Sequence, residues 1–231
     1  MSPISTYQIV VPIIVVFTAL AFCLIRPMPY LRIVMMCIVV VSIYGILQDQ
    51  ISVRISPDYF AVTHPPINGV SSLALLGLIW GFLGSWWGGL IIGLMLATAA
   101  IFGRRPKVNS SDLLIPIIIW TIATGTVTAI AGLSGYVNGL ITGISLGDPW
   151  AAKIPRDRHL QFFAIGCAHL GTYVGGLLGA VGLCIWTLRK RYEHLLADPA
   201  QEAEIERRLS KFSTDDPQRS WEDVKSRLKA K

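Results

Sequence analysis

The densest run of side chains able to do chemistry is Tyr44-Gly45-Ile46-Leu47-Gln48-Asp49-Gln50-Ile51-Ser52-Val53-Arg54-Ile55-Ser56-Pro57-Asp58-Tyr59-Phe60, followed by His64-Pro65-Pro66. Asp49 stands at the edge of an apolar stretch, where an ionised carboxylate is costly unless it meets a donor. Gln50 and Arg54, four residues apart, share a helix face with Asp49 beside it. Two arrangements suit this pattern. Arg54 pairs with Asp49 or Asp58 and closes the outer end of a bundle, or Asp49, Arg54, Asp58, Tyr59 and His64 line a binding site that faces outward. His169 is the second anomaly, an ionisable group within an apolar stretch. Its face carries Tyr173, Gly166 and Gly176, so the side chain is expected to point into the bundle, where it could meet the Asp49 end of the second span. A neutral imidazole hydrogen-bonded to a neighbouring helix is the structural reading; a functional group is the other. His159, ten residues earlier and about 80° around the helix, is expected near the surface. The candidate polar site is therefore Asp49, Arg54, Asp58, Tyr59, His64, His169 and Tyr173.

The elements that must hold these residues follow from hydrophobicity. Of 231 residues, 53% are hydrophobic and only 15% charged, with a mean hydropathy of +0.57, which excludes an ordinary water-soluble globule. Spanning the bilayer takes roughly 20 apolar residues, and five stretches qualify: 7–25, 31–49, 71–102, 113–133 and 161–187. The expected fold class is all-α, a polytopic membrane bundle of about five helices over residues 1–190, with a charged cytoplasmic tail over 191–231. Residues 1–188 carry 9 Lys/Arg and 5 Asp/Glu, against 11 and 9 in residues 189–231. Arg26 and Arg32, then Arg104, Arg105 and Lys107, then Arg189, Lys190 and Arg191 follow alternate spans. The positive-inside rule puts them in the cytoplasm, with the N-terminus outside and the C-terminus inside. The first span lacks the basic start of a signal peptide and is expected to stay in the mature chain. Residues 71–102 are too long for a simple crossing. We expect a single helix projecting on the outer side, with a re-entrant first half as the alternative.

Gly77, Gly81, Ser85, Gly89, Gly93 and Ala97 recur every four residues in the third span, and Gly171, Gly175 and Gly179 do so in the fifth. Such small-residue stripes let helix backbones approach closely in lipid, so these two spans are expected to pack centrally, on each other or on a second copy. Trp80, Trp86 and Trp87 suit an interfacial belt. The four cysteines all fall in apolar stretches, which argues against disulfides and a zinc knuckle; no metal site is expected from spacing. No enzyme motif is present, and no cofactor is named by any pattern. The net charge of +6 is spread between bundle and tail, so nucleic acid is not an expected partner. The expected partners are the lipid bilayer, a second copy through the Gly-rich faces, and a cytoplasmic protein for the tail. That tail suggests two short helices with sparse apolar stripes, Leu195 to Phe212 and Trp221 to Leu228.

The run Tyr44-Gly45-Ile46, Asp49-Gln50, Arg54, Pro57-Asp58-Tyr59-Phe60 and His64-Pro65, with Trp86-Trp87 and Arg104-Arg105-Pro106-Lys107, resembles a segment of uncharacterised bacterial integral membrane proteins. The resemblance covers about a third of the chain. It implies a bacterial inner-membrane protein and carries no activity. The leading functional expectation is a non-enzymatic bundle that handles a small solute or ion, or an accessory subunit, with an outward polar site. A membrane redox enzyme in which His64, His169 and Asp49 converge on a metal or haem is the competing class. A scaffold whose tail binds a partner is the third.

Overall fold

The computed structural model describes residues 5–25, 28–103 and 106–196, with Ala203 and Arg207. The described chain is all helical: α1 (Thr6–Ile25), α2 (Pro29–Ile55), α3 (Pro57–Thr63), α4 (Leu73–Ile101), α5 (Ser110–Thr142) and α6 (His159–Leu196), with a single 3-10 turn, Arg156–Arg158, before α6. Four of these, α2, α4, α5 and α6, are long and apolar enough to cross a membrane. Their outward faces carry large apolar side chains such as Ile119, Ile141 and Leu177. Helices that are apolar on the outside as well as the inside suit lipid, not water. The chain is a multi-pass membrane helix bundle. The expected first span is the helix α1, which packs mainly on α2. The tail helices expected beyond residue 196, and the arginines at 26, 104 and 105, lie outside the described residues.

Three helices run further than their apolar stretches. α2 continues to Ile55, α5 to Thr142 and α6 from His159 to Leu196. Hydropathy marks the part of a helix that lipid can cover, whereas the backbone hydrogen bonds continue wherever nothing breaks them. Proline supplies the break in α2. The residue before a proline is driven out of the α region, and Ser56 accordingly sits at φ −140°, ψ 84°. Pro57 then starts α3 at its first position, where a missing N–H costs nothing. α3 lies across one end of the bundle, against α2 and α6. Residues 71–102 contain a single unbroken helix from Leu73 to Ile101, so the re-entrant alternative is excluded.

The small-residue stripes work as close contacts, but between other pairs than expected. The α4 stripe packs antiparallel on α2, and the α6 stripe antiparallel on α5. A Cβ placed on Gly81 would lie 2.5 Å from the Ile46 Cα, on Gly89 2.7 Å from the Ile38 Cα, and on Gly93 2.8 Å from the Val34 Cα. On the other pair, a Cβ on Gly171 would lie 2.6 Å from the Ala131 Cβ, and one on Gly179 would collide with the Trp120 ring. α5 adds Gly135, where a Cβ would lie 2.8 Å from the Cys167 Cβ. The spacing of small residues reveals a face that can be approached, and says nothing of which neighbour approaches it. Between the two pairs, α4 and α6 run parallel and touch more lightly.

The end of the bundle away from α3 is the apolar core, with Ile33, Cys37, Leu96, Leu113 and Ile117 all fully buried. The last carbonyls of α4 are satisfied there one by one: Thr98 by the Phe102 N–H, Ala100 by the Val108 N–H at 3.1 Å, and Ala99 by Arg191 Nη1 at 2.7 Å. Arg191 Nε also donates to the Pro106 carbonyl at 2.8 Å. Arg191, one of the three basic residues that follow the fifth apolar stretch, is only 2% exposed. It is a buried cap on a helix C-terminus.

Two predictions follow from this packing, both read as unfolding free energy in detergent. Gly81→Ala should lose about 1–3 kcal/mol by overpacking, whereas Gly84→Ala, whose Cβ would meet no atom within 4 Å, should be neutral or gain up to ~1 kcal/mol. Arg191→Met should cost about 1.5–3 kcal/mol, whereas the exposed Arg189→Met should stay within roughly 0.5 kcal/mol of the parent.

Candidate functional site

Asp49 is 7% exposed on the inner face of α2. Gly77 lets α4 come down onto the same turn: a Cβ there would lie 2.9 Å from the Asp49 carbonyl oxygen. From the opposite side α6 brings His169, whose Nε2 lies 3.8 Å from Asp49 Oδ1. That is too long for a hydrogen bond. Nε2 is buried and makes no hydrogen bond.

The α3 helix covers this pair with aromatic rings. Tyr59 stacks flat on His169, with centroids 4.8 Å apart and planes 8° apart. Phe60 meets the His169 ring edge-on at 6.3 Å and stacks on His64 at 5.2 Å. His64 in turn lies 4.5 Å from the Trp80 ring of α4. The Thr63 hydroxyl donates to the Tyr59 carbonyl, so its 2.8 Å contact with His64 Nδ1 is an imidazole N–H donating to the Thr63 oxygen. This tautomer leaves Nε2 as an acceptor. Burial pushes the His64 imidazole down to about 4, which keeps it neutral near pH 7. Burial, with Tyr173 and Asp49 nearby, pushes the Tyr59 phenol up to about 12.

Below these rings a cavity of about 350 Å³ opens between α2, α4, α5 and α6, with Asp49, His64, Trp80, His169 and Tyr173 in its wall. One side is held by a hydroxyl network. Tyr44 Oη meets Thr128 Oγ1 at 2.8 Å, Thr128 meets Thr172 at 2.8 Å, and Thr172 Oγ1 donates to Gln48 Oε1 at 2.9 Å. This ties α2, α5 and α6 together and turns the Gln48 amide so that Nε2 is buried without a partner. Trp80 Nε1 and Trp120 Nε1 are also buried and unpartnered, and both residues line the same cavity. The site thus combines one carboxylate and two imidazoles with several orphaned N–H donors.

Of the seven candidate residues, Asp49, Tyr59, His64, His169 and Tyr173 come together; Arg54 and Asp58 do not. Arg54 is exposed and donates to Gln50 Oε1 at 2.8 Å, while Gln50 Nε2 donates to the Ala74 carbonyl at 2.7 Å and straps α2 to α4. Five residues put Arg54 about 140° around the helix from Asp49, which is why that pair does not form. Asp58 instead meets Arg158 at 3.3 Å, because the break at Ser56 aims the first turn of α3 toward the α5–α6 connection. His159 also departs from expectation. It is 4% exposed, accepts from the Leu146 N–H at 3.1 Å and donates from Nε2 to the Ile154 carbonyl at 3.0 Å, so it stitches that connection. Among the described residues no three His, Cys, Asp or Glu side chains form a metal-holding group; His64, His169 and Asp49 do not converge as ligands. Cys37, Cys167 and Cys184 are free thiols.

Sequence reasoning missed Gln48, Trp80, Trp120 and the threonines. A signal existed for some of them: Trp120, Thr124 and Thr128 recur every four residues, and Thr172 shares the His169 face. Trp80 was hidden by its neighbours Trp86 and Trp87, which made it look like one anchor among three.

The neutral His64 has a pH consequence. Free histidine titrates near pH 6.5, so between about pH 6.5 and 4 the unfolded chain binds a proton that the folded chain excludes. Stability therefore rises with pH across that window. The unfolding midpoint should fall on acidification from pH 7 to 4.5, and fall less steeply in His64→Gln; equal slopes would show that His64 is not held neutral by the fold.

Compared with known proteins, the chain matches no family model, no curated protein and no solved structure.

Proposed function

We propose that this is a non-enzymatic, multi-pass protein of a bacterial inner membrane that handles a small solute, with the Asp49–His169 pair as the protonatable element of its site. One observation carries the reading: an acid and a base buried on two different spanning helices approach to 3.8 Å at the wall of a cavity. Intramembrane ionisable groups mark solute and proton pathways more often than they serve packing. A buried pair of this kind is also weak as a stabiliser, since desolvation offsets most of its attraction.

The α3 end is assigned to the outside. Arg32, Lys107 and Arg189–Arg191 gather at the opposite end, where Arg191 bonds the Pro106 carbonyl and Lys190 lies 4.0 Å from Asp112. The basic residues at the α3 end are offset by Asp58, Asp148 and Asp157. That asymmetry supports a cytoplasmic C-terminus, and with it a cytoplasmic tail over 191–231.

A panel of lipophilic and water-soluble solutes, scanned by thermal stability of the detergent-purified chain, tests the site. A ligand at a hundred times its dissociation constant adds about 2.7 kcal/mol, or roughly 5–10 °C for a domain of this size. That gain should vanish in Asp49→Asn and in His169→Phe. Ligands that stabilise all three proteins equally would remove the pair from the site.

A further inference from the structure

α3 lies over the Asp49–His169 pair and is joined to the bundle differently from the spanning helices. α2 and α4, and likewise α5 and α6, meet backbone to backbone at glycines. Among the described residues, the backbone hydrogen bonds of α3 stay within its own turns and caps. A single residue outside the helical region, Ser56, separates it from α2. On its other side Pro65, Pro66 and Gly69, the last at φ +78°, lead toward α4 through a turn closed by the Val70 N–H on the Ile67 carbonyl. Element-terminal residues of this kind absorb the dihedral change when a segment swings.

The two sides of α3 are built for different tasks. Toward the bundle it presents rings: Phe60 is buried, Tyr59 lies flat on His169, and His64, at the C-cap, lies against Trp80. Separating such rings breaks no backbone hydrogen bond. Toward the α5–α6 connection it presents Asp58. Among the described residues the 3.3 Å bond of Asp58 to Arg158 is the one ion pair or side-chain hydrogen bond from α3 to another element.

Arg158 is a fixed post for that bond. It ends the 3-10 turn before α6, with its own N–H on the Pro155 carbonyl. The next residue, His159, is buried and held through both ring nitrogens by Leu146 and Ile154. The buried histidine thus pins the cation that α3 reaches. An ion pair whose arginine side chain is 57% exposed is weak and screened by salt, which suits a latch that releases. The group beneath is closed off: His169 Nε2 is buried, with the Tyr59 ring across its imidazole.

We propose that α3 is a hinged lid on the outer side of the bundle, closed over the Asp49–His169 pair by its aromatic face, latched by the Asp58–Arg158 ion pair, and opened by rotation at Ser56 and in residues 64–69. This rests on the reading of that pair as a solute site and adds how the site is opened.

Diethyl pyrocarbonate, which acylates an unprotonated imidazole nitrogen, tests the lid on the full-length chain in detergent, with the reaction at each histidine followed by mass spectrometry. The exposed His194 is the reference, and the pinned His159 reports unfolding of the outer end. In the parent, His169 should react far more slowly than His194, at a rate set by the open population. Asp58→Asn and Arg158→Gln should each raise the His169 rate about two- to fivefold, the range that an exposed ion pair supplies. High salt should raise it in the parent and not in either variant. The reversed pair, Asp58→Arg with Arg158→Asp, should bring the rate back toward the parent value, which a misfolded variant would not do. A His169 rate indifferent to both substitutions and to salt, or a His159 rate that rises in step with it, would overturn the lid. If the latch variants expose His169 but no solute responds to Asp49→Asn, the lid stands and the solute reading fails. If a solute responds to Asp49→Asn while His169 ignores the latch, the lid fails and the solute reading stands.

Discussion

The close approach of α2 and α4 is the constraint on which the rest of the bundle depends. Lipid gives helices no hydrophobic reason to associate, so contact distance and the number of atoms in contact decide which faces meet. At Gly81, Gly89 and Gly93 the α2 backbone occupies the space of a side chain, which fixes the two helices in rotation and in register. That register sets Asp49 opposite Gly77 and turns its carboxyl away from α4, toward α6. The α5–α6 pair is fixed in the same way around Gly171 and Gly179. With each pair internally locked, the contact between them is what remains adjustable, and the cavity lies there.

The second determinant is a break. Had α2 continued past Ser56, Tyr59 and Phe60 would have extended beyond the bundle end. The Ser56-Pro57 junction turns them back, so that Tyr59 lies flat on His169 and Phe60 on His64. The aromatic cover lowers the polarity around both imidazoles, and His64 carries it into the cavity wall. The hydroxyl chain from Tyr44 through Thr128 and Thr172 to Gln48 holds the remaining side, and joins the two helix pairs at one level of the bundle.

Much of this was legible in the sequence. Lipid-covered helices reveal themselves by apolar length, small-residue stripes by a period of four, and the polar run from Tyr44 to His64 by its density. His169 could be placed on an interior face because glycines share that face, but whether it meets Asp49 depends on how α2 and α6 are set against each other, which no local pattern gives. The pairing of helices was not legible, since the α4 stripe would serve equally well against α6 or a second copy. Partners of charged groups were not legible either. Arg54 and Asp49 look adjacent in a line of letters, but five residues carry them to different faces, and Arg158 reaches Asp58 across 100 positions. Whether a tryptophan N–H is satisfied depends on the tilt of neighbouring helices, which no local pattern encodes.

The two ends of the bundle treat polar groups in opposite ways, and that contrast separates architecture from function. Away from α3, a buried arginine and two backbone N–H groups meet the exposed carbonyls of the α4 C-terminus in turn. There the polar groups are complementary and a helix end is completed. At the α3 end, Gln48 Nε2 and Trp80 Nε1 are buried donors without an acceptor, although Thr172 holds the oxygen half of the same Gln48 amide. Buried groups left unmatched lower stability, and a chain that satisfies one end so fully has the means to satisfy the other. An apolar side chain in either place would remove that cost. The persistence of both donors beside the buried Asp49–His169 pair marks an end of the bundle that is kept polar for something other than packing.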